Sequence, residues 1–164
     1  MAHAPVIADS SALTSWRARP RSFVGLMVLY ESNYTRLGWL VEDVRKLGDL
    51  SMSVVDGDCE LVLKMTERGP YTATFTLTYL LPEREAPGAV PTSSPDLSVR
   101  VYHDARLAEA LDWAPAHEHQ MLRRMRRMAE RELDQCWARN TMLNKWLEYC
   151  VERGHRFPQP QAQP

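Results

Sequence analysis

One stretch of this sequence permits little besides a β-strand. Across residues 71–79, Tyr71, Ala73, Phe75, Leu77 and Tyr79 alternate with Thr72, Thr74, Thr76 and Thr78. A period of two places the first set on one face of a pleated strand and the β-branched threonines on the other, where they suit an exposed surface. A strand with one apolar face needs neighbours that share it. They lie just upstream: Cys59, Leu61, Leu63 and Met65 alternate with Glu60 and Lys64, and Met52-Ser53-Val54-Val55 comes before them. Asp56-Gly57-Asp58 and Arg68-Gly69-Pro70 are turn signals short enough to make the three strands an antiparallel meander. Residues 97–102 read as a fourth strand. Residues 105–113 suit a helix by their Ala, Arg, Leu and Glu content and a fifth strand by their position after a His-Asp turn, and the strand is preferred because context overrides propensity.

Such a sheet has an apolar face (Leu61, Leu63, Phe75, Leu77, Val99, Val101) that needs cover, and two segments carry matching helical stripes. In residues 21–47, Phe23, Leu26, Met27, Tyr30, Tyr34, Leu37, Leu40, Val41 and Val44 recur at steps of three and four. Ser22 is placed to cap the start and Gly48 to end the helix, with Lys46 favourable near its C-terminus. Gly38 weakens the middle, which predicts a kink or a close approach to a strand. Downstream, no proline or glycine occurs between Pro115 and Gly154, and Leu122, Met125, Ala129, Cys136, Asn140, Leu143, Leu147 and Cys150 keep helical spacing. A helix from about Asp134 to Arg153, capped by Gly154, is expected to dock on the sheet. The fold class is therefore α+β: a four- to five-stranded antiparallel sheet packed by an N-terminal and a C-terminal helix.

The 164 residues suit one domain, and 45% hydrophobic with 25% charged residues argues against wholesale disorder. Residues 1–20 and 158–164 lack periodicity and read as disordered ends around a domain spanning 21–157. Within it, 82–96 is a long proline-rich surface loop. The longest apolar run, 23–30, is too short to span a bilayer, and no leader pattern is evident, so neither export nor membrane insertion is expected. Three widely spaced cysteines, Cys59, Cys136 and Cys150, suit reduced thiols in a cytoplasm better than a disulfide framework or a zinc site.

Chemistry is sparse. A nicotinamide site needs backbone to approach the pyrophosphate closely, and neither G-x-G-x-x-G nor a P-loop, a G-x-S-x-G elbow or an H-E-x-x-H helix occurs. No cofactor is implied. His117 and His119 lack a third ligand in a nearby rigid position, so no metal site is assigned. With a net charge of −1, nucleic acid is disfavoured. The cluster running from Arg123 to Arg131 is the sole candidate patch, and Glu118, Glu130, Glu132 and Asp134 flank it closely enough to make a solvated, paired face the better reading. What remains is the end of the fourth strand, Arg100, Tyr102, His103 and Asp104. Arg100 could hold an anion, with Tyr102, His103 and Asp104 as acid, base and orienting carboxylate. The structural reading is preferred: Asp104 accepts turn amides, Arg100 pairs with a carboxylate such as Glu60 or Glu109, and Tyr102 packs. Adjacent residues on a strand face opposite ways, so His103 and Asp104 converge only if the turn begins at His103.

Three segments together resemble the YqiB-like family, a bacterial domain of unknown function: 29–37 (Leu-Tyr-Glu-Ser-Asn-Tyr-Thr-Arg-Leu), 99–105 (Val-Arg-Val-Tyr-His-Asp-Ala) with Ala108-Glu109, and 140–147 with Tyr149-Cys150 and Gly154. Asp134 and Asn140 also match family positions. Residues 113–132 depart from the family, so nothing that region does elsewhere carries over. The resemblance implies a small bacterial cytoplasmic protein without a settled activity, and it adds Glu109 and Asn140 to the candidate ligand-binding residues. The function expected is a non-catalytic binding or regulatory module whose ligand or protein partner and oligomeric state are open. The alternative is a small enzyme or sensor acting on a phosphorylated metabolite through the strand end.

Overall fold

The computed structural model describes residues 22–81, 92–93, 96–113, 124 and 135–159. Helix α1 spans Phe23–Leu40. A one-turn 3₁₀ helix, Val44–Lys46, leads to strands β1 (Leu50–Ser53), β2 (Glu60–Arg68), β3 (Thr72–Leu81), β4 (Thr92–Ser93), β5 (Leu97–Tyr102) and β6 (Leu107–Trp113), and helix α2 is Gln135–Glu152. The sheet is antiparallel throughout, in the order β1-β2-β3-β5-β6, with the two-residue β4 pairing the end of β3. This is the α+β architecture that the alternation and the two helical stripes predict, and residues 107–113 are a strand. The expected arm, most of the proline-rich loop, His117 and His119 and the last residues of the tail lie outside the described residues, as does the arginine cluster apart from Arg124, which is exposed.

The register shows why one face closes. Leu61 faces Tyr79, Leu63 faces Leu77, Phe75 faces Val99, and Val101 faces Ala108, so each cross-strand pair puts apolar groups on the same side. All of these are essentially inaccessible, and Trp146, Leu143 and Leu147 of α2 join them in the core. Tyr79 meets Trp146 edge to face at 5.6 Å. Helix α1 packs on both α2 and β6, which leaves α2 buried on more than one side: Trp137, Asn140, Thr141, Met142, Leu143, Asn144, Trp146, Leu147 and Cys150 are all buried. Cys150 is a small core residue donating to the Tyr79 hydroxyl at 3.5 Å, and burial pushes its thiol up to about 12.

Three expectations need correction. The first helix stops at Leu40 and not near Leu47, because Val41 is extended (φ −133°, ψ 115°) and bridges Phe157 in parallel, while the Asp43 side chain accepts from the Arg45 amide to start the separate turn. Gly38 makes no close approach to a strand: it is exposed, and a Cβ there would meet nothing within 4 Å. Phe23, counted in the apolar stripe, is 76% exposed at the first turn. Two caps are as expected, with Ser22 Oγ accepting from the Gly25 amide at 2.9 Å and Gly154 at φ 90° beyond α2, whereas Gly48 does not end the first helix, whose C-cap is Val41.

Candidate functional site

Strands β5 and β6 organise the polar chemistry. Their alternation sends Val99, Val101, Ala108 and Ala110 into the core, so Arg100, Tyr102 and Glu109 emerge on the opposite, open face. Arg100 and Glu109 are direct cross-strand partners. They reach each other through Tyr102, whose hydroxyl donates to Glu109 Oε1 at 2.6 Å and lies beside the Arg100 guanidinium. The bond to Glu109, with burial, raises the Tyr102 pKa, so this phenol is a proton donor at neutral pH.

Arg100 is held from the other side. Its Nε donates to Thr74 Oγ1 at 3.2 Å, and its Nη2 lies 3.7 Å from Glu67. Neither Glu60 nor Glu109 is the ion-pair partner. Simple alternation puts Glu67 on the core face with Leu61, Leu63 and Met65. A β-bulge between Met65 and Glu67 shifts the register, sets Glu67 opposite Thr74 and turns it to the open face. Nothing in the local sequence announces that bulge.

At the rim, Glu109 meets a residue that the sequence reading left in the core stripe. The Tyr30 hydroxyl of α1 lies 3.1 Å from Cys136 Sγ and next to the Glu109 carboxylate; burial, then Cys136, then Glu109 push its pKa well up. A continuous polar chain thus runs from Glu67 through Arg100, Tyr102, Glu109 and Tyr30 to Cys136. The missed signal was positional: β6 is the last strand, so a side chain on its open face can turn around the edge toward the helices.

Asn140 belongs to a different assembly. It is fully buried; its Oδ1 accepts from the Ala110 amide (2.8 Å) and from Asn33 Nδ2 (3.2 Å), and its Nδ2 donates to the Cys136 carbonyl (2.9 Å). Asn33 Nδ2 also donates to the Ala108 carbonyl at 3.3 Å, and Asn33 Oδ1 accepts from Asn144 at 3.0 Å. Because Ala110 N–H can only donate, the sense of every amide in this ladder follows from it. The carboxamides occupy the outer backbone groups of the edge strand where a further strand would otherwise pair. Asn144 then donates to Ser32 Oγ (2.9 Å), which also accepts from Arg36 (3.0 Å), and Arg36 ends on Glu148 at 3.2 Å. Burial pushes the Glu148 carboxyl up, but Lys145 and Arg36 more than offset this and leave it below its usual range.

His103 and Asp104 stand apart from Arg100. The His103 amide donates to the Tyr71 carbonyl at 2.9 Å, and the ring sits in the fields of Arg45 and Asp43 beside the 3₁₀ turn. Burial and Arg45 lower its pKa. Asp104 is exposed, and its Oδ1 accepts from the neighbouring Ala105 amide at 2.9 Å, in a turn completed by Arg106 at φ 55°. The six candidate residues therefore fall into three places: Arg100, Tyr102 and Glu109 together, Asn140 in the carboxamide ladder behind them, and His103 with Asp104 at the turn. Among the described residues, no group of three or more His, Cys, Asp or Glu side chains is arranged to hold a metal ion, and no helix is long and apolar enough to cross a membrane.

A family of proteins of unknown function, DUF1249, matches residues 36–156, which contain every candidate residue and all six strands. The chain belongs to the DUF1249 family. Within that span lie the ladder residues Asn140 and Asn144 and the open-face residues Glu67, Arg100, Tyr102 and Glu109, whereas Tyr30 and Asn33 precede it. No curated protein and no solved structure matches the chain.

Proposed function

We propose that this DUF1249 chain is a non-catalytic binding or regulatory module that takes its ligand on the open face of β5 and β6. The observation that carries this reading is the Arg100–Tyr102–Glu109 array. A cation, a phenol and a carboxylate are held in one arrangement by Thr74, Glu67 and each other, all on the face that the core does not use. Half-exposed groups pre-ordered in this way can exchange a partner for a ligand without reorganising the fold. We further infer that the chain is a YqiB-like protein of the bacterial cytoplasm, in keeping with the matching segments and three cysteines that form no disulfide. The second reading, an enzyme or sensor for a phosphorylated metabolite, rests on Arg100, whose guanidinium is suited to an anion. It is weakened because the charges acting on His103 are those of Arg45, Asp43 and Asp104, not that of Arg100.

A thermal-shift screen of cytoplasmic metabolites, run beside a pull-down on wild type and Arg100→Ala, tests the proposal. A compound or partner that engages wild type and is lost from Arg100→Ala supports it. Equal engagement of both proteins contradicts it, and turnover of a screened phosphorylated compound favours the second reading.

A further inference from the structure

The segment after α2 is fastened back onto the domain. Gly154, at φ 90°, ends the helix with the Gly154 amide on the Val151 carbonyl and the His155 amide on the Cys150 carbonyl, both at 3.0 Å. The chain then crosses the end of α1. Arg156 Nη1 donates to the Trp39 carbonyl (3.0 Å), the Phe157 amide to the Leu40 carbonyl (2.8 Å), and Gln159 Nε2 to the Asp43 carbonyl (3.3 Å). Phe157 itself is buried in the main core cluster.

A buried histidine sits at the root of this segment. His155 Nδ1 is 3.1 Å from Ser53 Oγ, Nε2 is 3.4 Å from Asp58 Oδ2, and the ring lies 5.5 Å from that of Tyr79. Ser53 Oγ also accepts the Arg156 amide at 2.9 Å. One neutral form suits these contacts: with the hydrogen on Nε2, which lies at ion-pair distance from Asp58 but makes no hydrogen bond, Nδ1 accepts the hydroxyl hydrogen of Ser53, whose oxygen holds Arg156 N–H. A Ser-His-Asp set in this arrangement is no nucleophile, since Ser53 is buried and its oxygen is already occupied. Adding a proton to Nδ1 breaks the pattern, because Nδ1 turns from acceptor to donor and the Ser53 hydroxyl hydrogen loses its acceptor. Asp58 offers only partial compensation, since Arg153 already holds the same Oδ2 at 2.9 Å.

We propose that residues 155–159 form an acid-released latch, in which protonation of His155 loosens the segment from α1 and uncovers the apolar slot filled by Phe157. The groups facing His155 are Asp58 from the β1–β2 turn, Tyr79 from β3, Ser53 from β1 and Arg153 from the turn just after α2. Burial, with a smaller contribution from Arg153, lowers the ring's affinity for a proton, and Asp58 and the Ser53 backbone only partly oppose it. The closed latch therefore prefers neutral His155. Its stability is fully present above the ordinary histidine value and is lost as pH falls through the lowered one.

Hydrogen exchange on the full chain at pH 7.5 and 5.5 tests the latch, reading the Phe157 amide protection factor against that of the β3 amides. The ratio falls in wild type at the lower pH, by no more than about tenfold per pH unit for a single proton, and is flat in His155→Gln. A wild-type ratio that does not change, or the same fall in His155→Gln, overturns the proposal. Ser53→Ala keeps the titrating ring but removes the acceptor of the Arg156 amide; it gives weaker Phe157 protection at pH 7.5, and full wild-type protection there also overturns it.

Discussion

Three consecutive residues of β6 show two ways of using polar groups. The main chains of Ala108 and Ala110 face outward from the sheet edge and are met by Asn33 and Asn140 inside a seam that water does not reach. Glu109, between them, turns its side chain to the open rim and takes the Tyr102 hydroxyl while Tyr30 lies beside it. In the seam an unmet donor has no substitute partner, so Asn140 is tied on both its oxygen and its nitrogen. On the rim water can replace a lost partner, and the same kinds of group are free to respond to a ligand. Burial, and not residue type, separates the two roles.

The comparison predicts its largest contrast at Asn140. Asn140→Ala leaves the Ala110 amide and one Asn33 N–H without their partner, and a loss of about 3 kcal/mol is expected in urea denaturation, since each buried orphan costs about 1–3 kcal/mol. A loss below about 1 kcal/mol would mean that the seam is dispensable. Tyr102→Phe removes one half-exposed bond to a carboxylate and is expected to lower stability by about 1 kcal/mol; an effect equal to that of Asn140→Ala would erase the distinction between seam and rim.

Much of this was legible beforehand, for local reasons. The threonine alternation in 71–79 has only one strand face to offer the core, and Gly57 and Gly154 do adopt the positive φ that their turn and cap positions called for. The candidate site was legible only in part. Arg100, Tyr102 and Glu109 share a face because alternation in two paired strands demands it. The role of Glu67 depends on a bulge, and those of Tyr30 and Asn33 depend on how α1 crosses the sheet edge, which is a tertiary choice that periodicity does not encode. Asn140 read as part of an apolar stripe because a buried carboxamide at helical spacing is indistinguishable from one until its partners are known.

Smaller effects sharpen the same contrast. Gly38→Ala should raise stability by about 0.5–1 kcal/mol in thermal melts, because the added methyl meets open space on a helical position; destabilisation there would reveal a packing contact for α1. Asp104→Ala, at an exposed turn, is expected to cost about 0.5 kcal/mol or less. A melting change larger than that of Tyr102→Phe would move structural weight from the rim to the turn.

The central claim, that the open face of β5 and β6 binds while the carboxamide seam holds the fold, is tested most directly by amide NMR. The compound selected by the thermal screen is titrated into wild type and into the Arg100→Ala, Tyr102→Phe, Glu109→Gln triple variant. The account predicts shifts confined mainly to residues 98–102 and 107–109 in wild type, and no binding by a triple variant that still gives a folded spectrum. Shifts centred on 140–148, or undiminished binding by the triple variant, would contradict it.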